Sequence, residues 1–134
     1  MKILEFLWKR EQLACIYPTK IIAVDFDGTL VTAKFPNVGD PIWATIDLLK
    51  EEKAKGAKVI LWTCRTGEQL EEAITFCKEH DIHLDAVNEN LPMITEFFGN
   101  DTRKVFADEY WDDRAVDPVW MFGCLGKGVF NGHS

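Results

Sequence analysis

Long apolar runs are what this chain most clearly lacks. Apolar residues make up 47% of it, yet no stretch approaches the roughly 20 consecutive positions that a membrane-spanning helix needs. A soluble protein with no membrane partner is therefore expected. Basic charge is also scarce: 15 Lys and Arg against 22 Asp and Glu leave a formal net charge of -7. That balance argues against duplex nucleic acid as a partner, because such binding is driven by Lys and Arg neutralising phosphates. Small anionic substrates remain open to it if a cation or local basic residues offset the field. The cysteines Cys15, Cys64, Cys77 and Cys124 form no Cys-x-x-Cys pair and are too sparse for a disulfide scaffold. A reduced, cytoplasmic thiol set is the simplest reading. Near the start, Glu5, Lys9, Arg10 and Glu11 interrupt the apolar residues before any signal-peptide core develops. Room is short as well. The 134 residues predict one domain over 1–134, with an N-terminal extension over 1–19 and a tail over 115–134, and little space for a second lobe.

What the chain does have begins at Ile21, where the aliphatic run Ile21-Ile22-Ala23-Val24 ends abruptly in Asp25-Phe26-Asp27-Gly28-Thr29. Four successive apolar residues suit a strand covered on both faces, as in a parallel sheet. Two acids spaced i, i+2 leave such a strand on the same side. The stretch from Leu30 to Gly39 has no clear period and predicts an irregular excursion beside the strand end. Asp40-Pro41 then offers a helix start, with Asp40 as cap and Pro41 at the first helical position. Ile42, Trp43, Ile46 and Leu49 mark the expected buried face of that helix, and Gly56 its stop. Lys58 to Thr63 reads as a second buried strand. After Thr66-Gly67, the residues Leu70, Ala73, Ile74 and Cys77 fall at helical spacing. Leu84 to Val87 predicts a third strand, Met93 to Phe98 a short helix, and Val105 to Trp111 a last strand ending in Asp112-Asp113-Arg114. A weak helical spacing runs from Ile3 to Ala14, which equally suits an edge strand, and the tail from Ala115 onward reads as coil with room for a late strand. Strands alternating with helices imply parallel pairing, hence a three-layer α/β/α sandwich with a mainly parallel, Rossmann-like sheet.

In such a sheet the C-terminal ends of the strands share one edge of the molecule. That brings Asp25 and Asp27, Thr63 and Arg65, and Asp112 and Asp113 together from three strands. The acids need a counter-charge, and a hard divalent cation such as Mg²⁺ takes oxygen ligands from one or two carboxylates while keeping several waters. An ionised aspartate can attack an electrophile and form a covalent intermediate. Phosphorus suits the arrangement, because a phosphate dianion needs a metal and a lysine to offset its charge before another anion approaches, and Lys104 lies just upstream of the last acidic strand end. The second acid is free to protonate the leaving oxygen and then to activate water. An EF-hand reading of Asp25-x-Asp27-Gly28 fails, since loop position twelve would be Pro36 rather than Glu. His80, His83 and His133 complete no recognisable ligand pattern.

These residues resemble a known family. Asp25-Phe26-Asp27-Gly28-Thr29 is similar to the first motif of the haloacid dehalogenase superfamily in its phosphatase form. Leu61-Trp62-Thr63 resembles the second motif, Lys104 the third and Asp112-Asp113 the fourth, in the right order over roughly residues 20 to 114. The resemblance implies a small, capless, Mg²⁺-dependent phosphatase. In it Asp25 is the nucleophile and a metal ligand, and Asp27 is the general acid/base and lends its backbone carbonyl to the metal. Thr63 hydrogen-bonds the phosphoryl group, Lys104 orients and neutralises it, and Asp112 completes the metal shell with direct or water-mediated support from Asp113. Dehalogenases proper lack the second aspartate of the first motif, so Asp27 favours phosphoryl transfer.

Around this set, Gly28 lets the backbone pass close to the site, Arg65 either grips a substrate phosphate by its planar fork or forms a surface ion pair, and Asn88 either faces the crevice or serves a turn. Strand alternation turns Cys64 away from Thr63 and into the core. A capless site admits a phosphorylated small molecule or a phosphorylated macromolecular end. The aromatics near both termini suggest a homo-oligomer. Two other readings stay open: a non-catalytic metal- or phosphate-binding or assembly protein, and a phosphotransferase to an acceptor other than water.

Overall fold

The computed structural model describes Gln12 and residues 19–114. The rest of the segment from Ile3 to Ala14, expected as a helix or an edge strand, and the tail from Ala115 lie outside the described residues. Within them the chain runs β1 (Ile21–Val24), α1 (Trp43–Ala54), β2 (Lys58–Leu61), α2 (Gly67–Glu79), β3 (Ala86–Val87), α3 (Pro92–Phe98) and β4 (Glu109–Trp111). The four strands form one parallel sheet in the order β3-β2-β1-β4. This is a mixed α/β fold consistent with the Rossmann-like class, and no helix among the described residues is long and apolar enough to cross a membrane.

The alternation of β1 explains why its run is purely aliphatic. Ile22 and Val24 belong to one buried cluster, with Ile46 and Leu49 of α1 and Ala73, Phe76 and Cys77 of α2. Ile21 and Ala23 belong to a second, with Leu91, Ile94 of α3 and Val105. Both sets of side chains leave water, so neither has a polar alternate. All four strand residues are buried.

Several boundaries differ from the sequence expectation, each for a visible reason. Helix α1 starts at Trp43 with Ile42 as its N-cap and no side-chain cap. Pro41 is taken instead by an antiparallel bridge to Val31, and Asp40 exchanges hydrogen bonds with Thr32, receiving one from the Thr32 N–H and donating its own N–H to Thr32 Oγ1, each 2.8 Å. The excursion after Leu30 is therefore a loop whose two ends pair, and Gly39 is required there because a methyl group would overlap the Thr32 carbonyl. Trp43, expected on the buried face of α1, is 57% exposed. The last strand is shorter than the expected Val105 to Trp111. The Phe106 N–H is drawn to the side-chain oxygen of buried Asn90 at 2.6 Å, and pairing with β1 begins only where the Asp108 N–H meets the Ile21 carbonyl at 2.8 Å. Helix α3 behaves as its ends dictate, with Pro92 in its first turn and Gly99 in the left-handed conformation at its stop (φ 74°).

Candidate active site at the carboxyl edge of the sheet

The registers set the four strand ends level. Val24 pairs with Leu61 and with Trp111, and Leu61 pairs with Val87. The next residues of the four strands, Asp25, Trp62, Asn88 and Asp112, consequently leave the sheet at one height. The ladder continues one step past the strands: the Asp25 N–H donates to the Trp111 carbonyl at 2.9 Å, the Trp62 N–H to the Val24 carbonyl at 2.8 Å and the Asn88 N–H to the Leu61 carbonyl at 2.8 Å. A cleft of about 270 Å³ opens here, lined by Asp25, Trp62, Thr63, Cys64, Asn88 and Asp112.

Asp25 is the half-buried centre of this cleft. Its Oδ1 accepts the Phe26 N–H at 2.7 Å. Burial nevertheless pushes its carboxyl up from an ordinary 3.8 to about 6, and the negative charges of Asp112, Asp113 and Asp27 push in the same direction against that single hydrogen bond. One carboxylate oxygen from each of Asp25, Asp112 and Asp113 lies within 4.8 Å of the others. Carboxylate oxygens this close could hold a cation. The three oxygens are hard donors and fit Mg²⁺. Gly28 makes the crowding feasible. Its φ is +83°, and a methyl there would overlap Asp113 Oδ2, so the glycine serves both the turn and the close approach of the acid. Asp27 is not in the triad, its side chain being engaged elsewhere. The family resemblance asks only its main-chain carbonyl to meet the cation.

Thr63 stands beside Asp25 in the cleft. Its Oγ1 accepts the Arg65 N–H at 3.1 Å, leaving its own proton to donate outward. Its main-chain N–H donates to Asn88 Oδ1 at 2.8 Å. Because that donor can only meet an oxygen, the amide of Asn88 is oriented, and its NH₂ is the end left for other acceptors. Asn88 sits at φ +53°, a left-handed conformation Asn tolerates better than most residues.

Two other candidates lie elsewhere. Lys104 does not line the Asp25 cleft: its Nζ is 5.2 Å from the centroid of the Tyr110 ring, and it borders a separate cavity of about 400 Å³ with Thr102, Val105, Phe106 and others. Arg65 has no donor left for a substrate. Its side chain is 1% exposed, and its five N–H groups are all taken: Nε and Nη2 by Asp27 Oδ2 and Oδ1 (2.8 and 2.7 Å), Nη2 also by the Asn37 carbonyl (2.8 Å), and Nη1 by the Pro36 and Gln69 carbonyls (3.3 Å each). The paired Asp27 holds the guanidinium above its already high ordinary value. Neither a phosphate grip nor a surface ion pair describes it; it is a buried tie.

Cys64 is the opposite case. Instead of turning into the core it is exposed and lines the cleft, because β2 ends at Leu61 and strand alternation no longer applies three residues on. Trp62 stood inside the second motif without a role and forms part of the cleft wall, and the hydrogen bond from the Thr63 N–H to Asn88 Oδ1 was not expected. The signal that would have found them is the level register, in which every residue following a strand end belongs to the same edge.

No protein-family model and no curated protein matches this chain. Among solved structures, a conserved protein from Bacteroides thetaiotaomicron is similar: 34% identical, with 87% of this chain and 93% of that chain covered and a TM-score of 0.65. The two chains belong to one family. That protein is described only as conserved, so the kinship supports the shared fold and brings no activity with it.

Proposed function

We propose that the chain is a Mg²⁺-dependent phosphatase that hydrolyses a phosphomonoester through an aspartyl-phosphate, on a capless α/β/α scaffold of the haloacid dehalogenase kind. The observation that carries this reading is the convergence of the Asp25, Asp112 and Asp113 carboxylates beside the Thr63 hydroxyl at one level edge of the sheet. The three-layer arrangement is supported by the two apolar clusters that β1 divides by alternation.

Asp25, Asp112 and Asp113 would hold the cation, which when bound supplies charge neutralisation for the phosphoryl oxygens and for Asp25 itself. In the first step a carboxylate oxygen of Asp25 forms a bond to phosphorus, the phosphorus–ester oxygen bond breaks, and the leaving oxygen takes a proton, the role the family resemblance gives to Asp27, whose carboxylate would first have to release an arm of the Arg65 fork. In the second, water attacks the phosphorus of the aspartyl-phosphate while Asp27 takes a proton from it, releasing inorganic phosphate and restoring Asp25. Thr63 donates its hydroxyl to the transferring group. The cleft lining contains no lysine or arginine, and Lys104 would have to leave the Tyr110 ring on its flexible stem to neutralise a phosphate there.

The exposed Asn88, Cys64 and Asp112 leave the cleft open, which fits a phosphorylated small molecule or a macromolecular end. Cys64 and Cys77, both free thiols, fit a reducing cytoplasm. The direct test is phosphate release from an aryl phosphate with and without Mg²⁺. Wild type should depend on Mg²⁺ and Asp25→Asn should be inactive; equal activity in the two proteins would sink the mechanism.

A further inference from the structure

Six residues line the Asp25 cleft. In the phosphatase reading Asp25, Thr63 and Asp112 serve the cation and the phosphoryl group, which leaves Trp62, Cys64 and Asn88 to meet the rest of the substrate. An indole, a thiol and a carboxamide bring no cation, so this part of the wall cannot neutralise a second phosphate. It can hold an uncharged group. Trp62 is the bulkiest of the three and the most firmly held: its main-chain N–H donates to the Val24 carbonyl at 2.8 Å, and the half-buried residue packs against the buried cluster that contains Ile60 and Ile94. The core fixes it where it borders the cleft. Trp62 also directly precedes Thr63, so what it meets lies close to the phosphoryl group. Space is limited as well, because the cleft of about 270 Å³ falls just below the roughly 300–1,000 Å³ of sites that enclose drug-sized ligands.

We propose that Trp62 determines which leaving group is accepted: the site takes a small phosphomonoester whose ester oxygen is borne by an aromatic ring or by a carbon attached to one. The inference rests on the phosphatase reading and names its substrate class. Aromatic pairs, whether offset-stacked or edge-to-face, gain more than their buried area alone supplies, and a wall already held by the core loses little freedom when the ring arrives. A nucleotide carries its base a ribose away from the phosphate, and a sugar phosphate has no π-face to offer.

The test compares kcat/KM for benzyl phosphate and cyclohexylmethyl phosphate, which match in size and both release a primary alcohol, in wild type and Trp62→Leu. Leucine keeps an apolar side chain against the cluster. Wild type should prefer the benzyl ester roughly three- to tenfold, the scale of an aromatic pair, and Trp62→Leu should bring the ratio close to unity. A wild-type ratio near unity, a loss in Trp62→Leu that is equal on both esters, or faster hydrolysis of glucose 6-phosphate than of benzyl phosphate would overturn the inference and leave Trp62 as core mass. Should Trp62→Leu fail to fold, Trp62→Met enters the same comparison with the same expectation. Phosphotyrosine, free and within a peptide, separates the two sources of such a ring: the free amino acid should react at least as fast, and a faster peptide overturns the small-molecule assignment. Asp25→Asn is assayed alongside. If it retains activity, or if wild type hydrolyses none of these esters, the phosphatase reading falls and this one with it, whereas Asp25-dependent hydrolysis with no preference for the benzyl ester defeats the role of Trp62 alone.

Discussion

Replacing Asp25 by Asn should make the metal-free protein more stable, and only above a definite pH. The folded chain holds the Asp25 proton more tightly than the unfolded chain, with a titration near 6 against an ordinary 3.8. Below pH 3.8 both states carry the proton and the residue is neutral in its effect. As pH rises from 3.8 to 6 the unfolded carboxyl ionises first, which favours unfolding, and above 6 the penalty stays constant. A rise from 3.8 to about 6 corresponds to about 3 kcal/mol. Asp25 is only half-buried, so solvent screening reduces this to about 1.5 kcal/mol. Asn never ionises, and its side-chain oxygen can still accept the Phe26 N–H.

In EDTA the melting temperature of Asp25→Asn should therefore exceed that of wild type by roughly 4–7 °C at pH 7.5. The difference should shrink toward zero as pH falls through 6 to 4, measured by differential scanning calorimetry. Mg²⁺ should then raise the wild type and leave the variant nearly unmoved, closing the gap. A variant less stable than wild type at pH 7.5, or a gap that widens toward acid, would refute the strained carboxyl.

The other expectations concern the residues around it. Gly28→Ala forces an L-residue into a left-handed backbone, about 1–2 kcal/mol, and displaces the Asp113 carboxylate; titration calorimetry should find Mg²⁺ binding roughly tenfold or more weaker, and unchanged affinity would remove Asp113 from the site. Asn88→Ala loses the bond to the Thr63 N–H and keeps a left-handed backbone, whereas Asn88→Gly loses the bond alone. Urea unfolding should therefore show the glycine variant the milder by about 1 kcal/mol. Lys104→Met keeps an apolar stem beside Tyr110 but no charge. Its melting temperature should stay close to that of wild type while kcat/KM falls roughly tenfold or more, and an unaffected kcat/KM would leave Lys104 where the structure rests it, outside the reaction.

Much of this edge could be read from residue order because parallel strands make it a one-dimensional problem. Once Ile21 to Val24 and the run at Lys58 are buried strands, Asp25 and Thr63 must leave them on the same side of the molecule, and Asp112 follows from β4. What could not be read was anything decided by partners distant in sequence. Arg65 lies 38 positions from Asp27, and nothing in its neighbours distinguishes a buried tie from a surface charge. Asp40 looked like a helix cap because its local context fits one. The pairing with Thr32, eight residues away, competes for the same backbone and wins. Lys104 resembles a motif lysine by its place in the chain but has a four-carbon stem, so its location depends on the ring beneath it.

The alternative to a ligand site is a turn with solvated acids, and it can be weighed against the local energetics. Solvated acids at a turn would spread apart, keep ordinary titration and accept any turn residue. Here three features each carry a local cost and gather at the carboxyl edge of the sheet. Asp25 is pushed up to about 6 by burial with three acids around it, Gly28 is excluded from bearing a side chain by Asp113, and Asn88 holds a left-handed backbone while bonding the loop that carries Thr63. Strain of this kind persists where the surrounding structure imposes it, and it clusters where a ligand relieves it. A cation would relieve the first directly and give the second its reason. The third keeps the Thr63 loop beside them, so the disfavoured features and the chemically useful ones are the same residues.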